Sequence, residues 1–394
     1  MITVDQAQDL CLDGLTALGH EIIPLSQAAG RTLITPVHAA RPQPPFAASS
    51  MDGYAVTDAT VAPGATFRVV GEAAAGHAWN GHITNGEALR IFTGAPMPQG
   101  ANRVIIQEDV TRDGEIITLN ATFDAKQYVR PIGADFPASF TIPAPRRLTP
   151  FDIALIAAMN VATVTVTRKP SVALIATGDE LVMPGGDPRP DQIIASNVFA
   201  LKALIEQHGG TADILPITLD TEDALHATFT QAISADLIVT IGGASVGDHD
   251  LVGKVAQDFG LDRAFYKIAM RPGKPLMSGT MHGKPFLGLP GNPVSAIVCG
   301  YLFLLPMLRK LTGLTEVLPQ IITANLTHDI SANGPRAHYM RANLSEGVNG
   351  REIRAFDRQD SALLTVLSQA NALLIRPIKD PAHKRGTLMQ AIPL

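Results

Sequence analysis

The middle of the chain opens with the sequence VALIATGDEL, residues 172–181, and this stretch decides the fold class. Its leading apolar run, VALIA, is typical of a strand buried on both faces of a parallel sheet, and TGDE ends that strand with a polar turn. Similar strand patterns recur after helix-like segments at residues 212–217, 237–241 and 265–270. Alternating strands and helices predict right-handed βαβ units. We therefore expect a central, mainly parallel α/β sandwich domain over residues 170–318.

Helix signals separate these strands. Ser196 is placed to cap a helix that ends at Gly209-Gly210, and apolar residues recur at four-residue spacing over 225–233. The most apolar segment, residues 294–308, is interrupted by a glycine and a proline and is shorter than the ~20 residues that a bilayer requires. We expect it to form a buried helix.

Shorter β-like patterns lie on both sides of this central domain. Residues 3–6 read as a helix capping box, a proline-rich segment follows at 41–46, and short extended runs fill 47–136 between glycine-containing turns. Residues 319–394 return to short strands and turns. The predicted fold class is α/β plus β: a multidomain chain in which small β-rich domains flank the central sandwich.

Composition excludes several classes of partner and site. The 394 residues carry a formal net charge of -5, which argues against nucleic acid or an anionic membrane surface as a partner. Cys11 and Cys299 are the only cysteines, too few for a disulfide framework and without zinc-ligand spacing. The first residues lack the apolar run of a secretory signal. We expect the protein to be cytoplasmic.

Four loops near the predicted strands carry groups that suit an anion: TGDE at 177–180, GGASVGDHD at 242–250, RPGKP at 271–275 and LPGNPVS at 289–295. Loops at the carboxyl ends of parallel strands meet at one edge of the sheet. There, backbone N–H groups and the two cations of RPGKP can converge on an oxyanion. Each loop alone is explained equally well as a turn, whereas the four together favour an anion site.

As an ordered set, the motifs resemble the molybdopterin molybdenumtransferase family, to which the E domain of gephyrin is similar. The matching stretches are PPF at 44–46, SMDGYA at 50–55, FTGAPMP at 92–98, TGDEL at 177–181, the three later loops, QDS at 359–361 and ANAL at 370–373. The resemblance runs from about residue 5 to the C-terminus.

That resemblance implies four domains and a homodimer with the active site between subunits. The expected domains are a discontinuous N-terminal linking domain (1–43 and 137–169), a β-rich domain that reaches the partner subunit (44–136), the α/β molybdopterin-binding domain (170–318) and a C-terminal β domain (319–394). The implied reaction inserts molybdate into adenylylated molybdopterin, requires Mg²⁺ and releases AMP. Besides these small-molecule substrates, other cofactor-synthesis enzymes are expected partners.

The family's functional residues carry over wherever this sequence matches its motifs. Catalytic roles are implied for Asp52, Asp135, Glu180, Asp250, Lys267 and Arg271. Substrate contacts are implied for Thr93, Arg130, Thr177, Gly178, Asp220, Gly242, Gly243, Ser245, Lys274, Pro275, Pro290, Asn292, Pro293, Ser295, Arg341 and Ser361.

Physical chemistry agrees with these implied roles. Carboxylates are suitable Mg²⁺ ligands, and we expect them to be Glu180, Asp220 and Asp250. Molybdate is a tetrahedral dianion, which calls for cationic and hydroxyl donors. We expect those donors to be Arg271, Lys274, Ser295, Arg341 and Ser361. No protein nucleophile is required, because the dithiolene sulfurs of the substrate attack molybdenum.

Simpler explanations exist for several of these residues. Asp52 and Thr93 each precede a glycine and are equally suited to closing a turn. Asp220, which precedes Thr221, is suited to capping a helix and nothing more. Other members of the set, such as Arg341, are marked by no local pattern.

The chain also departs from the family, and two other functions fit its fold. Residues 130–135 read RPIGAD, without the usual charged run, Asn102-Arg103 replaces an acidic residue, and Arg271 stands where lysine is common. A binding or scaffold protein is the first alternative, since gephyrin also clusters receptors. The second is adenylylation of molybdopterin, an activity found in a domain similar to residues 170–315; the flanking β domains argue against it.

Overall fold

The computed structural model describes residues 1–242, 251–348 and 350–394. Its main sheets are a four-stranded N-terminal sheet, a six-stranded sheet between residues 53 and 119, a six-stranded central sheet and a C-terminal sheet. Each of the three larger sheets has its own cluster of buried apolar residues. The chain is therefore α/β plus β and multidomain, as the sequence predicts.

The central sheet is parallel over four strands and antiparallel at one edge. Its strands, in spatial order, are Thr211–Ile214, Ser171–Ala176, Leu237–Ile241, Lys284–Leu289, Met277–Met281 and Leu261–Tyr266. The fully buried pattern of Leu237–Ile241 explains its unbroken apolar sequence. The turn after Ser171–Ala176 is held in place by the N–H of Thr177, which donates to the carbonyl of Ile241, and by that of Gly178, which donates to the carbonyl of Thr218.

The prediction of one strand over 265–270 is wrong. The strand Leu261–Tyr266 stops before Lys267, whose φ of 69° lies in the left-handed region and breaks the extended backbone. Met270–Arg271 is a separate strand that pairs with Ala337 and His338 of the C-terminal sheet. The chain therefore crosses from one domain to the other between these two strands.

Helices cover the central sheet: Asn197–Gln207, Glu222–Ala232, Leu251–Asp258 and Pro293–Leu311, the last containing a π-helical segment at Gly300–Leu304. Glu222–Ala232 is capped by Thr221, whose hydroxyl accepts from the N–H of Ala224, so Asp220 is not the cap. Ser196 precedes its helix but makes no capping hydrogen bond with its side chain, contrary to the prediction.

The apolar helix Pro293–Leu311 belongs to the core. By length and composition it could cross a membrane, but 78% of its most apolar stretch is buried inside the protein. Gly300 lies against Leu201, where a Cβ atom would come within 2.8 Å of a leucine methyl group. Close packing on the central sheet thus accounts for its apolar sequence.

The N-terminal half folds into β structure around two short helices, Val4–Leu12 and Pro150–Ala158. The predicted capping box is present, with the Thr3 hydroxyl and the Gln6 side chain exchanging hydrogen bonds with each other's backbone. The N-terminal sheet contains His20–Pro24, Thr163–Thr167, Thr32–Leu33 and Arg146–Arg147, and Val37–His38 pairs with Thr141–Ile142. The next sheet contains Arg103–Ile106, Gly53–Val56, Glu87–Ile91, Thr66–Ala73, Ile116–Leu119 and Val110–Asp113, and Ala48–Ser49 pairs with Val129–Arg130.

The C-terminal sheet closes on itself. Its strands follow the order Ala337–Gly347, Gly350–Ala355, Ile322–Leu326, Leu388–Pro393 and Ala372–Arg376, and the last pairs again with the first. Met270–Arg271 extends this barrel at the outer side of Ala337–Gly347. A short helix, Leu364–Leu367, precedes the strand Ala372–Arg376.

Candidate active site

A cavity of about 520 Å³ lies at the carboxyl edge of the central sheet. It brings together seven residues that the sequence predicts for substrate or metal: Thr177, Gly178, Glu180, Asp220, Gly242, Asn292 and Pro293. Three of the four predicted loops therefore meet at one cavity, as parallel topology requires. Its size is that of a small-molecule site.

The floor of the cavity is shaped by close backbone packing. Gly242 has a φ of 97°, and a Cβ atom there would come within 2.7 Å of the Thr177 carbonyl oxygen. Only glycine fits this position. The Thr177 hydroxyl is buried and has no hydrogen-bond partner in the described part of the chain, so it remains available to a ligand.

One wall of the cavity is acidic. Glu180 and Asp220 line it, and the Asp179 carboxylate accepts a hydrogen bond from the backbone N–H of Asp220 at 3.1 Å. Desolvation, followed by the negative charges of Asp179 and Glu180, raises the pKa of Asp220. Carboxylates held this close repel each other, and a cation would relieve that repulsion.

The RPGKP loop is fixed by its own backbone. The carbonyl of Lys274 accepts from the N–H groups of Ile268 and Leu276, and the N–H of Lys267 donates to the carbonyl of Leu276. Lys267 Nζ lies 4.7 Å from the ring centroid of Tyr266. These backbone hydrogen bonds join residues 267–268 to residues 274–276, so the predicted residues Lys267, Arg271, Lys274 and Pro275 belong to one closed segment of chain.

Arg341 is the most unusual predicted residue, because its side chain is fully buried. Its Nη2 donates to the carbonyl of Asp360 at 3.0 Å, whereas Nε and Nη1 have no partner among the residues described. Burial, followed by the positive charge of Arg271, lowers the pKa of Arg341 to about 10. A buried cation with unused donors is expected to bind an anion.

Arg341 is connected to the rim of the cavity through Ser361. The carbonyl of Ser361, next to Asp360, accepts from the N–H of Val294 at 3.0 Å. Val294 follows the cavity residue Pro293 and precedes the buried Ser295. The chain segments that contain Ser295, Arg341 and Ser361, which are far apart in sequence, are thus joined by backbone hydrogen bonds where the C-terminal domain contacts the central domain.

The predicted residues of the β-rich domain form a separate group. Thr93 donates to the Asp52 carboxylate through its N–H and its hydroxyl, both at 2.8 Å. These two hydrogen bonds are the main reason that the pKa of Asp52 is lowered. Arg130 and Asp135 are exposed. None of these four residues lines the cavity of its own chain.

The remaining predictions fall on other positions. Gly243, Ser245 and Asp250 lie outside the described residues. Pro290 is buried behind the cavity rim.

Sequence reasoning missed several residues that line the cavity. Asn197 lines it and donates to the carbonyl of Gly291 at 2.7 Å, and Ile193 and Ile194 form an exposed apolar wall. The signal for that wall was an apolar pair directly after the polar segment 184–192. For Asn197 no local pattern distinguishes a cavity residue from an ordinary first residue of a helix.

Three family models match this chain. Residues 2–160 match the family described as MoeA N-terminal region (domain I and II), 173–310 match a probable molybdopterin binding domain, and 323–394 match the MoeA C-terminal region (domain IV). These matches cover the N-terminal half, the central domain and the C-terminal barrel.

Two curated relatives are similar over most of their length. A molybdopterin molybdenumtransferase of Nostoc sp. is 35% identical over 93% of this chain and 87% of its own, and one of Haemophilus influenzae is 33% identical over 95% and 94%. A crystal structure of the molybdopterin biosynthesis MoeA protein from Pyrococcus horikosii is 27% identical, with a TM-score of 0.81 over 100% of this chain and 99% of that chain. On these three grounds of sequence, domain order and fold, the chain belongs to the MoeA family of molybdopterin molybdenumtransferases.

Proposed function

We propose that this protein inserts molybdenum into molybdopterin, with adenylylated molybdopterin and molybdate as substrates and AMP as the product that leaves. In the overall change, water adds across the phosphoanhydride bond, which gives AMP and the phosphate monoester of the pterin. The two dithiolene sulfurs form bonds to molybdenum and displace two oxygen ligands of molybdate, which leave as water with the two thiol protons and two protons from solvent. Molybdenum keeps its oxidation state, so no redox partner is needed. The sulfurs of the substrate supply the nucleophiles, and the protein supplies position and charge.

The observation that carries this proposal is the short connection between the cavity and Arg341. From Pro293 at the rim, Val294 donates to the carbonyl of Ser361, and the neighbouring carbonyl of Asp360 accepts from Arg341. A pterin in the cavity would therefore have its reacting end near a buried guanidinium that has unused N–H donors. Such an arrangement suits a reaction between a large organic substrate and a small dianion.

Each substrate has donors of the matching chemistry. Thr177 and Asn292, together with the backbone of Gly178 and Gly242, can hold the polar pterin, and Ile193 offers an apolar face. For molybdate, Arg271 and Arg341 supply charge. Lys274, Ser295 and Ser361 are the further donors that we propose for it.

Mg²⁺ is part of the proposal. Glu180 and Asp220 would hold it, with Asp250 as a third ligand from the segment outside the described residues. Among the described residues no group of three potential ligands lies close enough for a complete metal site. Mg²⁺ bound to phosphate esters commonly uses only one or two carboxylates. Burial, followed by the negative charges of Asp179 and Glu180, raises the pKa of Asp220. When bound, the ion would neutralise charge on the departing AMP.

The position of Asp52 and Thr93 supports a further part of the proposal, a homodimer with shared sites. These two residues form a hydrogen-bonded pair of a carboxylate and a hydroxyl that does not line the cavity of their own chain. We propose that the β-rich domain offers this pair, together with Arg130 and Asp135, to the cavity of a second subunit. We place the reaction in the cytoplasm, where the two free cysteines would stay reduced.

The test is AMP release by the purified protein from adenylylated molybdopterin, with Mg²⁺ present and molybdate omitted or titrated. We expect AMP release to depend on molybdate and to saturate with it. No molybdate-dependent AMP in a folded preparation would refute the activity.

A second assay distinguishes this activity from the alternative, adenylylation of molybdopterin. That reaction would consume ATP and molybdopterin without molybdate, and it would not need donors such as Arg341 from the C-terminal domain. We expect no adenylylated product when the protein is given ATP, Mg²⁺ and molybdopterin.

A further inference from the structure

Asn197, which lines the cavity, is attached to the loop that forms the rim of the cavity. Its side-chain amide donates to the carbonyl of Gly291 at 2.7 Å. The acceptor is a carbonyl oxygen, so the N–H side of the amide must face it. This hydrogen bond joins the helix Asn197–Gln207 to the loop that precedes the helix Pro293–Leu311.

The loop at residues 290–292 has few other restraints. The helix that follows begins without a side-chain cap, because Asn292 in the capping position makes no such hydrogen bond. Beyond the loop, the first backbone anchor is the N–H of Val294, which donates to the carbonyl of Ser361 at 3.0 Å. The hydrogen bond to Gly291 therefore restrains the loop just before that anchor.

The same loop leads to the buried arginine. The carbonyl of Asp360, which precedes Ser361, accepts from Nη2 of Arg341 at 3.0 Å. From Val294 the path thus continues over one backbone hydrogen bond and one peptide unit to the guanidinium. Asn197 and Arg341 lie at the two ends of this path.

We propose that Asn197 is a positioning residue that couples the two substrates. A pterin in the cavity strengthens the hydrogen bond to Gly291, and the restrained loop then holds Arg341 in place for molybdate. The inference rests on the proposed function, because it assumes that the pterin binds in the cavity and the anion at Arg341. Asn197 acts through the loop and does not touch molybdate.

Exclusion of water explains the direction of the effect. Asn197 is half-buried, and both it and Gly291 border the cavity, so water competes for their hydrogen bond while the cavity is empty. A bound pterin removes that water, and a hydrogen bond in surroundings of lower dielectric is stronger. A loop that is already ordered loses less entropy when the dianion binds, so molybdate affinity rises. Linkage requires that molybdate raises the affinity of the pterin by the same factor.

Equilibrium dialysis of the full-length protein with molybdate tests this coupling. Binding would be measured without and with saturating adenylylated molybdopterin, with Mg²⁺ left out and AMP assayed to verify that the pterin stays intact. If AMP forms, sulfate replaces molybdate, since it is a tetrahedral dianion that the dithiolene does not ligate. We expect the wild type to bind the dianion at least about fivefold more tightly when the pterin is present.

Asn197→Asp keeps the shape of the side chain and removes the donor. An acidic residue in the first turn is favoured by the helix dipole, so the helix Asn197–Gln207 should persist. We expect the ratio of the two dianion affinities to fall to about one in this variant, and equally in the uncharged Asn197→Ala. Asn197→His, whose Nδ1 can donate from a similar position, should restore part of the ratio.

The matched control is Asn120→Asp. Asn120 belongs to the β-rich domain and also donates from its amide to a backbone carbonyl, that of Glu108 at 3.2 Å, but it does not line the cavity. This variant should keep the affinity ratio of the wild type.

The outcomes separate the inference from the proposed function. No gain from the pterin in the wild type, or the same gain in folded Asn197→Asp and Asn197→Ala, would overturn the role of Asn197 and leave the anion site standing. A lower melting temperature with an unchanged ratio would also overturn it, because the hydrogen bond would then only stabilise the loop. Absence of dianion binding, or binding that is unaffected by Arg341→Met, would instead refute the proposed anion site.

Discussion

At the scale of single residues, the site is distinguished by polar groups that folding leaves unsatisfied. Arg341 and Arg376 are both buried arginines of the C-terminal barrel. Arg376 is held by Asp380 and by the carbonyls of Ser331 and Pro381. The Arg341 guanidinium donates one hydrogen bond. Its Nε and Nη1 have no partner among the described residues. Arg376 therefore has a structural role, whereas Arg341 is suited to a ligand.

This contrast gives a paired prediction for stability and binding. Arg341→Met should keep or raise the melting temperature, because it removes a buried charge that has no ion-pair partner among the described residues. The same change should raise the molybdate concentration for half-maximal AMP release about tenfold to a hundredfold. Arg376→Met should lower the free energy of unfolding by about 3 kcal/mol, because the buried Asp380 loses its arginine and keeps only the contact with His383. Thermal melting and the AMP assay measure the two effects.

Either of two results would contradict these predictions. Strong destabilisation by Arg341→Met would mean that this arginine is structural after all. Weakened binding of adenylylated molybdopterin with an unchanged molybdate response would place the anion elsewhere.

At the scale of elements, the RPGKP loop depends on one glycine. Gly273 has a φ of 114°, and a Cβ atom there would come within 2.5 Å of the Cys299 sulfur. The loop therefore lies directly on the helix Pro293–Cys299, whose first residues border the cavity. The positions of Lys274 and of the cavity rim are coupled through this contact.

We expect Gly273→Ala to be more damaging than a similar change elsewhere. Gly283 is the control, since its φ of 77° is also positive but a Cβ atom there would have no neighbour within 4 Å. Gly283→Ala should cost about 1 kcal/mol from backbone strain alone. Gly273→Ala should cost more and should also raise the half-maximal molybdate concentration, which Gly283→Ala should leave unchanged. Equal effects on stability and on molybdate would show that the contact with Cys299 does not matter.

Elements with a regular apolar pattern were predictable, and those defined by backbone geometry or tertiary pairing were not. Leu237–Ile241 and the cap at Thr3 follow from composition and local hydrogen bonding. The strand break at Lys267 depends on a left-handed backbone that a lysine rarely adopts, so the pattern across 265–270 was misleading. The hairpin that joins Met277–Met281 to Lys284–Leu289 was missed because neither strand alternates clearly between apolar and polar residues.

At the scale of the whole molecule, the cavity could be predicted from the sequence but its junction with the barrel could not. Parallel strands bring their following loops to one edge, so the convergence of Thr177, Asp220 and Gly242 follows from topology. Arg341 and Ser361 reach that edge only because the barrel packs on the helix that begins at Pro293. For these two residues the sequence offered the family resemblance alone.

Sharing of sites between subunits gives a prediction at this scale. Asp52→Asn and Lys274→Ala subunits should each be inactive as homodimers, because every site lacks one of the two residues. Heterodimers of the two variants should regain partial activity, since one of their two sites would be intact. Purified, verified heterodimers are required, and AMP release measures the rescue. No rescue would mean that Asp52 acts within its own chain or not at all.

If the cavity and the buried arginine together carry out one transfer, its stoichiometry will show it. AMP and pterin-bound molybdenum would be quantified in the same time course with the wild-type protein, adenylylated molybdopterin, Mg²⁺ and molybdate. Both should rise together, one molybdenum for each AMP, and both should fall together in Arg341→Met at limiting molybdate. AMP release without pterin-bound molybdenum would contradict it, because the protein would then be a hydrolase of the adenylylated pterin rather than a molybdenumtransferase.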